Sequence, residues 1–152
     1  MALDRWPPVI AIVSQKKMTY QFTDADRIWN RACFRECPNP RIGDQALASL
    51  LMFHSQAMNG GVLDTVEMLT PEDLSEAAKG YRFFGLDVVA DFLVRAHNIF
   101  EAHKDFDKWE RILNREYTTH VPADSFLVAT FEKYLKGHPD EFEPVASPAS
   151  DD

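Results

Sequence analysis

The 152-residue sequence has little of what several protein classes require. It contains only two cysteines, Cys33 and Cys37, which are too few for a disulfide framework and have no second ligand pair for structural zinc. No apolar run reaches the length of about 18 residues that crosses a bilayer, and the start MALDRWPPVIAIV lacks the basic flank of a secretory signal. We therefore expect a cytoplasmic protein with two free thiols.

The sequence also lacks the spacings that identify common catalytic and metal sites. There is no His-Glu-x-x-His motif, no glycine-rich phosphate loop, no Gly-x-Ser-x-Gly elbow and no Glu-x-x-His pair. His54 lies on the apolar face of a predicted helix, where a hydrogen-bonded core histidine is the expected interpretation. His97 and Glu101 are one turn apart, but His103 cannot share their face. The sequence predicts no catalytic residue, no cofactor and no metal site.

Basic charge is the other scarce component. The chain has 16 Lys and Arg against 24 Asp and Glu, a net charge of -8. Residues 64–76 carry five acids and no Lys or Arg, and residues 138–152 carry five more. Binding of nucleic acid through a basic face is therefore disfavoured. The first group is the candidate partner-binding surface, and it comprises Asp64, Glu67, Glu72, Asp73 and Glu76.

The apolar content is sufficient for one folded domain, with 45% hydrophobic and 12% aromatic residues. Helical spacing predicts an all-α fold, a single compact bundle of six or seven helices over residues 23–142. The segment from Asp44 to Met58 contains ALASLLMF, apolar on nearly all sides, which predicts a central, surrounded helix. WPPVIAIV predicts an extended N-terminal arm over residues 1–22, and EPVASPASDD predicts a mobile, disordered acidic tail over residues 143–152.

Capping residues mark three helix starts. Thr23 and Thr70 are predicted N-caps, the second followed by a proline at the first helical position. Asp107 with Glu110 predicts a capping box at the start of a third helix.

The sequence Asn59-Gly60-Gly61 is predicted to end the central helix. Gly60 is expected to take the left-handed backbone conformation, which lets the chain reverse, and Gly85 marks a second helix junction. These residues then form a structural corner. The alternative is a glycine loop whose amides bind an anion, which the five acids that follow would repel.

Three arginines recur at helical spacing on the first helix: Arg27, Arg31 and Arg35. Like charges one turn apart destabilise a helix, so an acidic group should lie against them. The candidates are the protein's own 64–76 segment, its tail, or an acidic or phosphate-bearing partner. On a later helix, Asp91 and Arg95 are expected to pair with each other.

Several segments also match a known family. MNGG, AAKGYRFFGLDVVADFLVRAHNIF and YLKGHPDEF place a glycine pair after a helix, an alanine-rich stretch, a glycine at a helix junction and a helix that ends in Ala and an aromatic residue. From Ile28 to Phe142 the chain resembles a widespread bacterial family, the C-terminal-domain-like family of the DNA-mimic proteins. The matching positions are Asn59, Gly60, Gly61, Ala78, Gly85, Ala90, Ala96 and Phe100.

The resemblance implies an all-helical fold and a role in mimicking DNA. One departure follows the glycine pair, where residues 62–66 read VLDTV in place of the phenylalanine and further aromatic or amide residues usual in the family. The surface that these residues form elsewhere is therefore not expected in the same form here.

Two classes of function follow. The first is a non-enzymatic acidic interaction module that binds a basic or nucleic-acid-binding protein, without direct contact to nucleic acid or membrane. The second is a small enzyme that uses His54 or His97 in a cleft beside the glycine pair. A partner that neutralises a toxin would use the same acidic surface as the first.

Overall fold

The computed structural model describes residues 21–102 and 105–146. That part of the chain contains no β-strand, and its seven α-helices confirm the predicted all-α fold. The helices are α1 (Asp24–Phe34), α2 (Ile42–Gly60), α3 (Val62–Met68), α4 (Pro71–Phe83), α5 (Asp87–Ala102), α6 (Phe106–His120) and α7 (Asp124–Gly137), followed by a short 3-10 helix (Pro139–Glu141).

Two predicted segments fall largely outside the described residues. Of the N-terminal arm, residues 1–22, the structure describes only Gln21 and Phe22. Of the predicted tail, it describes residues 143–146. None of the helices described above is both long and apolar enough to cross a membrane.

Helix α2 is the centre of the bundle, as predicted, and it extends two residues beyond each end of the predicted Asp44–Met58 segment. It contacts α1, α3, α4 and the 3-10 helix. Helix α4 approaches closely at Gly80, where a Cβ atom would collide with the carbonyl oxygen of Ala46. The side chains of α2 that are at most 2% exposed are Leu47, Leu50, Leu51, Phe53 and His54.

Two of the three predicted caps are present. Thr23 and Asp26 form a reciprocal capping box at the start of α1, and the Thr70 hydroxyl accepts the Asp73 N–H at the start of α4. The predicted capping box of Asp107 with Glu110 is wrong. Helix α6 begins two residues earlier, after Asp105, so Asp107 lies inside the first turn and cannot be the N-cap.

A buried carboxylate ties the end of the helical region to its beginning. Asp44 is almost fully buried and accepts hydrogen bonds from the Arg31 guanidinium (2.9 Å) and from the backbone N–H groups of Arg41 (3.0 Å) and Glu143 (2.6 Å). Arg31 also donates to the Glu143 carbonyl, and Val145 packs against the core. The ordered chain therefore continues past the predicted boundary at Phe142.

The glycine corner differs from its prediction by one residue. Gly60 is the last residue of α2, and Gly61 is the residue with positive φ (φ 97°, ψ 165°), so the prediction of a left-handed Gly60 is wrong. The reason is that α2 continues one residue further, and the Gly61 N–H still donates to the Ala57 carbonyl (2.9 Å). That backbone conformation is essentially restricted to glycine. Gly85, between α4 and α5, has φ 82°.

We expect Leu51→Ala to lower the free energy of unfolding by about 2 to 5 kcal/mol, because the cavity would form in a surrounded helix. Ile42→Ala, on the same helix but at a side chain 59% exposed, should change it by no more than about 0.5 kcal/mol. Urea unfolding followed by circular dichroism measures both. A loss below about 1 kcal/mol for Leu51→Ala would show that α2 is not enclosed.

We expect Gly61→Ala to destabilise the protein by about 1 to 3 kcal/mol through its backbone conformation alone. A Cβ at this position also meets the Glu110 side chain. Gly85→Ala is the matched control, because its φ is positive but a Cβ there has no neighbour within 4 Å. Gly60→Ala, at a helical residue whose Cβ meets only the movable Asp64 carboxylate, should cost least. A lower thermal unfolding midpoint for Gly60→Ala than for Gly61→Ala would contradict this assignment.

Candidate partner-binding surface

Helix α6 supports the glycine corner from outside. The side-chain oxygen of Asn114 accepts the Val62 N–H at the start of α3 (2.8 Å), and the Asn114 amide donates to Glu110 (3.1 Å). The Thr65 hydroxyl donates to the Gly61 carbonyl (2.7 Å). Helix α3 is therefore fixed at its first turn by a side chain of α6 and by its own Thr65.

The five residues that depart from the family pattern explain how α3 packs. Val62, Leu63, Thr65 and Val66 are all buried, whereas Asp64 between them is exposed. The aliphatic side chains anchor the short helix in the core. The same turn of helix consequently directs its one carboxylate to solvent.

The five predicted acids are distributed over two helices. Asp64 and Glu67 lie on α3, and the other three lie in the first two turns of α4. Four are exposed and Asp73 is half-buried. Among the described residues only Glu76 pairs with a cation, Lys79 at 3.3 Å. We call this set of five the acidic surface.

The spacing within the acidic surface follows from helix geometry. Asp64 and Glu67 are separated by three residues on α3, a rise of about 4.5 Å, and Glu72 and Glu76 by four on α4, about 6 Å. Met68, whose side chain is 55% exposed, ends α3 between the two pairs. Glu72 and Asp73 also lie at the N-terminus of α4, where the helix dipole favours negative charge.

The arginines of α1 have different environments. Arg31 is bound to Asp44 and to the Glu143 carbonyl, and Arg27 lies 4.0 Å from Asp24. Arg35 is exposed and lines a cleft of about 270 Å³ that Glu76 also borders. The buried counter-charge of this series is therefore Asp44, which the sequence interpretation did not include. The predicted Asp91–Arg95 pair is also wrong, because Asp91 binds Arg82 (2.8 Å) and Arg95 binds Glu116.

His54 belongs to a buried chain of hydrogen bonds. Its Nδ1 lies 2.7 Å from the Tyr117 hydroxyl and its Nε2 2.7 Å from an Asp124 carboxylate oxygen. The Tyr81 hydroxyl lies 2.6 Å from that of Tyr117. Burial raises the pKa of both tyrosines, so their hydroxyls stay protonated and can donate. This chain of hydrogen bonds connects α2, α4, α6 and α7.

This environment makes His54 a core residue. Only 1% of the residue is exposed, so its imidazole is not in contact with solvent. The sequence indicated a buried, hydrogen-bonded histidine but gave no signal for its partners. Tyr117 and Asp124 lie 63 and 70 residues away in the chain, and no local spacing connects them.

The remaining candidates do not form a reactive cluster. His97 lies 3.9 Å from Glu101, and no group of three or more potential metal ligands occurs among the described residues. Cys33 lies on α1, whereas Cys37 lies beyond its end. Burial, with a smaller effect from Asp124, raises the pKa of the Cys33 thiol to about 12, so it stays protonated at neutral pH.

Comparisons with known proteins identify the family. The family model described as DMP19-like protein, after DNA mimic protein 19, matches residues 40–145, more than half of the chain. The match begins after α1, later than the resemblance predicted from Ile28. Searches of the curated proteins and of the solved structures found no match. The chain belongs to the DMP19-like protein family.

Proposed function

We propose that this protein is a non-enzymatic binding module whose acidic surface takes the place of DNA on a basic, nucleic-acid-binding protein. The family match supports a DNA-mimic role. The observation that carries the proposal is that four of the five acids form no ion pair among the described residues and project from two anchored helices.

Rigidity of the carboxylates is the physical requirement for such a role. Duplex DNA presents one negative charge per about 1.7 Å of axis, so a mimic must hold several carboxylates in fixed positions. Asn114 holds the start of α3, and Thr70 caps α4. The backbone that carries the carboxylates is therefore ordered before binding, so mainly side-chain entropy is lost, and the carboxylates attract a basic partner at long range.

Met68 adds an apolar contact to the acidic surface. Protein interfaces gain affinity from a desolvated side chain surrounded by polar groups, and methionine adapts to irregular partners. An exposed methionine between carboxylates suits a basic protein surface with an apolar depression. The proposed partner is therefore a protein that combines both features.

A catalytic role for His54 has less support, because its imidazole is enclosed by the core. A toxin-neutralising role would use the same acidic surface and differ only in the partner. The identity of the partner therefore separates these two binding functions.

The test replaces four acids with neutral isosteres: Glu67→Gln, Glu72→Gln, Asp73→Asn and Glu76→Gln. Asp64 is retained because its carboxylate contacts the glycine corner. Against the basic partner captured from the native cell, we expect at least a tenfold weaker affinity and a flatter dependence of log Kd on log salt, because exposed charges act through screened attraction. The wild-type protein should also displace duplex DNA from that partner.

A control variant removes four exposed acids elsewhere that form no ion pair within the described residues, with Glu36→Gln, Asp107→Asn, Glu132→Gln and Asp140→Asn. It matches the change in net charge and should bind nearly as the wild type does. Circular dichroism checks that both variants fold. If the first variant kept the affinity and salt dependence of the wild type, the acidic surface would not bind the partner and would be only a solvated helix start.

A further inference from the structure

Helix α6 carries three cations on its outward face. Lys108, Arg111 and Arg115 are all exposed, and they follow one another at intervals of three and four residues. Helix geometry places them on one side of the helix over a length of about 10 Å. None of them forms an ion pair in residues 21–102 and 105–146. We call these three residues the basic face.

Exposed cations without an ion pair among the described residues also occur at the end of α1 and on α7, but α6 is the helix that places three of them on one face, in a chain with 24 acids for 16 bases. Elsewhere Arg31, Arg82 and Arg95 each bind a carboxylate. Like charges at these spacings also weaken a helix. The basic face, which is unpaired among the described residues, therefore carries a mutual repulsion that a carboxylate-bearing ligand would relieve.

The acids of α6 are mostly engaged elsewhere. Glu110 accepts from Asn114 beside the glycine corner, and Glu116 binds Arg95 and lies 3.4 Å from His120. Asp107 is exposed on the same helix but forms no ion pair among the described residues. Helix α6 thus directs its cations to solvent, while Glu110 and Glu116 stabilise the fold.

An apolar side chain accompanies the basic face. Ile112 is 40% exposed and lies between Lys108 and Arg115 in the sequence and on the same side of the helix. An apolar anchor bordered by charges is the usual anatomy of a protein interface. Ile112 has this position, exposed among the three cations.

We propose that the basic face binds an acidic segment of a partner protein, one that brings at least two carboxylates about one helical turn apart and an apolar side chain to cover Ile112. Arginine is suited to this contact, because its guanidinium takes a carboxylate through two parallel hydrogen bonds. This surface is distinct from the acidic surface and attracts partners of the opposite charge.

A protein occupant fits better than nucleic acid. Duplex binding rests on many phosphate contacts, and the basic face provides three cations on a chain of net charge -8. A short acidic segment needs only the local contacts. The exposed Ile112 also has a natural counterpart in an aliphatic side chain and none in a phosphate backbone.

The test uses a fluorescein-labelled helical peptide, four repeats of Glu-Leu-Ala-Ala, and fluorescence anisotropy at 150 mM NaCl with the full-length protein. We expect Arg111→Gln with Arg115→Gln to weaken binding at least tenfold. The matched control, Lys133→Gln with Lys136→Gln on α7, removes two exposed cations that have no ion pair in the described part of the chain, and it should weaken binding less than twofold. Ile112→Ser should weaken binding of this peptide but not of a version with Ser for Leu.

Three results would overturn the proposal: no binding of the peptide by the wild type, equal losses in the two double variants, or tighter binding of a duplex DNA probe than of the peptide. The four-acid variant of the acidic surface should bind the peptide at least as well as the wild type. Failure of either proposal therefore leaves the other unaffected.

Discussion

The backbone at Gly61 is the constraint on which the candidate surface depends. Because α2 ends there and not one residue earlier, α3 starts with its aliphatic residues toward the core and Asp64 toward solvent. A shift by one residue would turn each helical face by about 100°. Asn114 then fixes the start of α3 from α6. The position of the two acids on α3 is therefore set by one glycine conformation and one side-chain hydrogen bond.

The bundle behind this surface is specified by polar contacts as well as apolar ones. In one arrangement every donor is used: Tyr81 donates to Tyr117, Tyr117 donates to the His54 Nδ1, and the His54 Nε2–H donates to Asp124. A buried chain of hydrogen bonds in which each donor has an acceptor favours a single packing of the helices that carry it. Apolar contacts alone would discriminate less sharply between neighbouring arrangements.

Features determined by neighbouring residues could be predicted from the sequence, and features determined by distant ones could not. The caps at Thr23 and Thr70 and the apolar α2 follow from local spacing. The partners of Asp44 and His54 come from other helices, and Asp91 binds Arg82 instead of Arg95 on its own helix. Gly60 and Gly61 are locally equivalent, so the corner was predicted only to within one residue.

The same distinction applies to charge. A net charge of -8 describes the whole chain, but the fold pairs its charges selectively and leaves acids on α3 and α4 and cations on α6. The net charge acts at long range and favours encounter with basic partners. At physiological ionic strength charges are screened beyond about 8 Å, so a ligand docked on the basic face interacts little with the distant acids. The basic face therefore acts only at contact. An acidic ligand should therefore first gain affinity as salt rises from low values, whereas a basic ligand of the acidic surface loses it throughout.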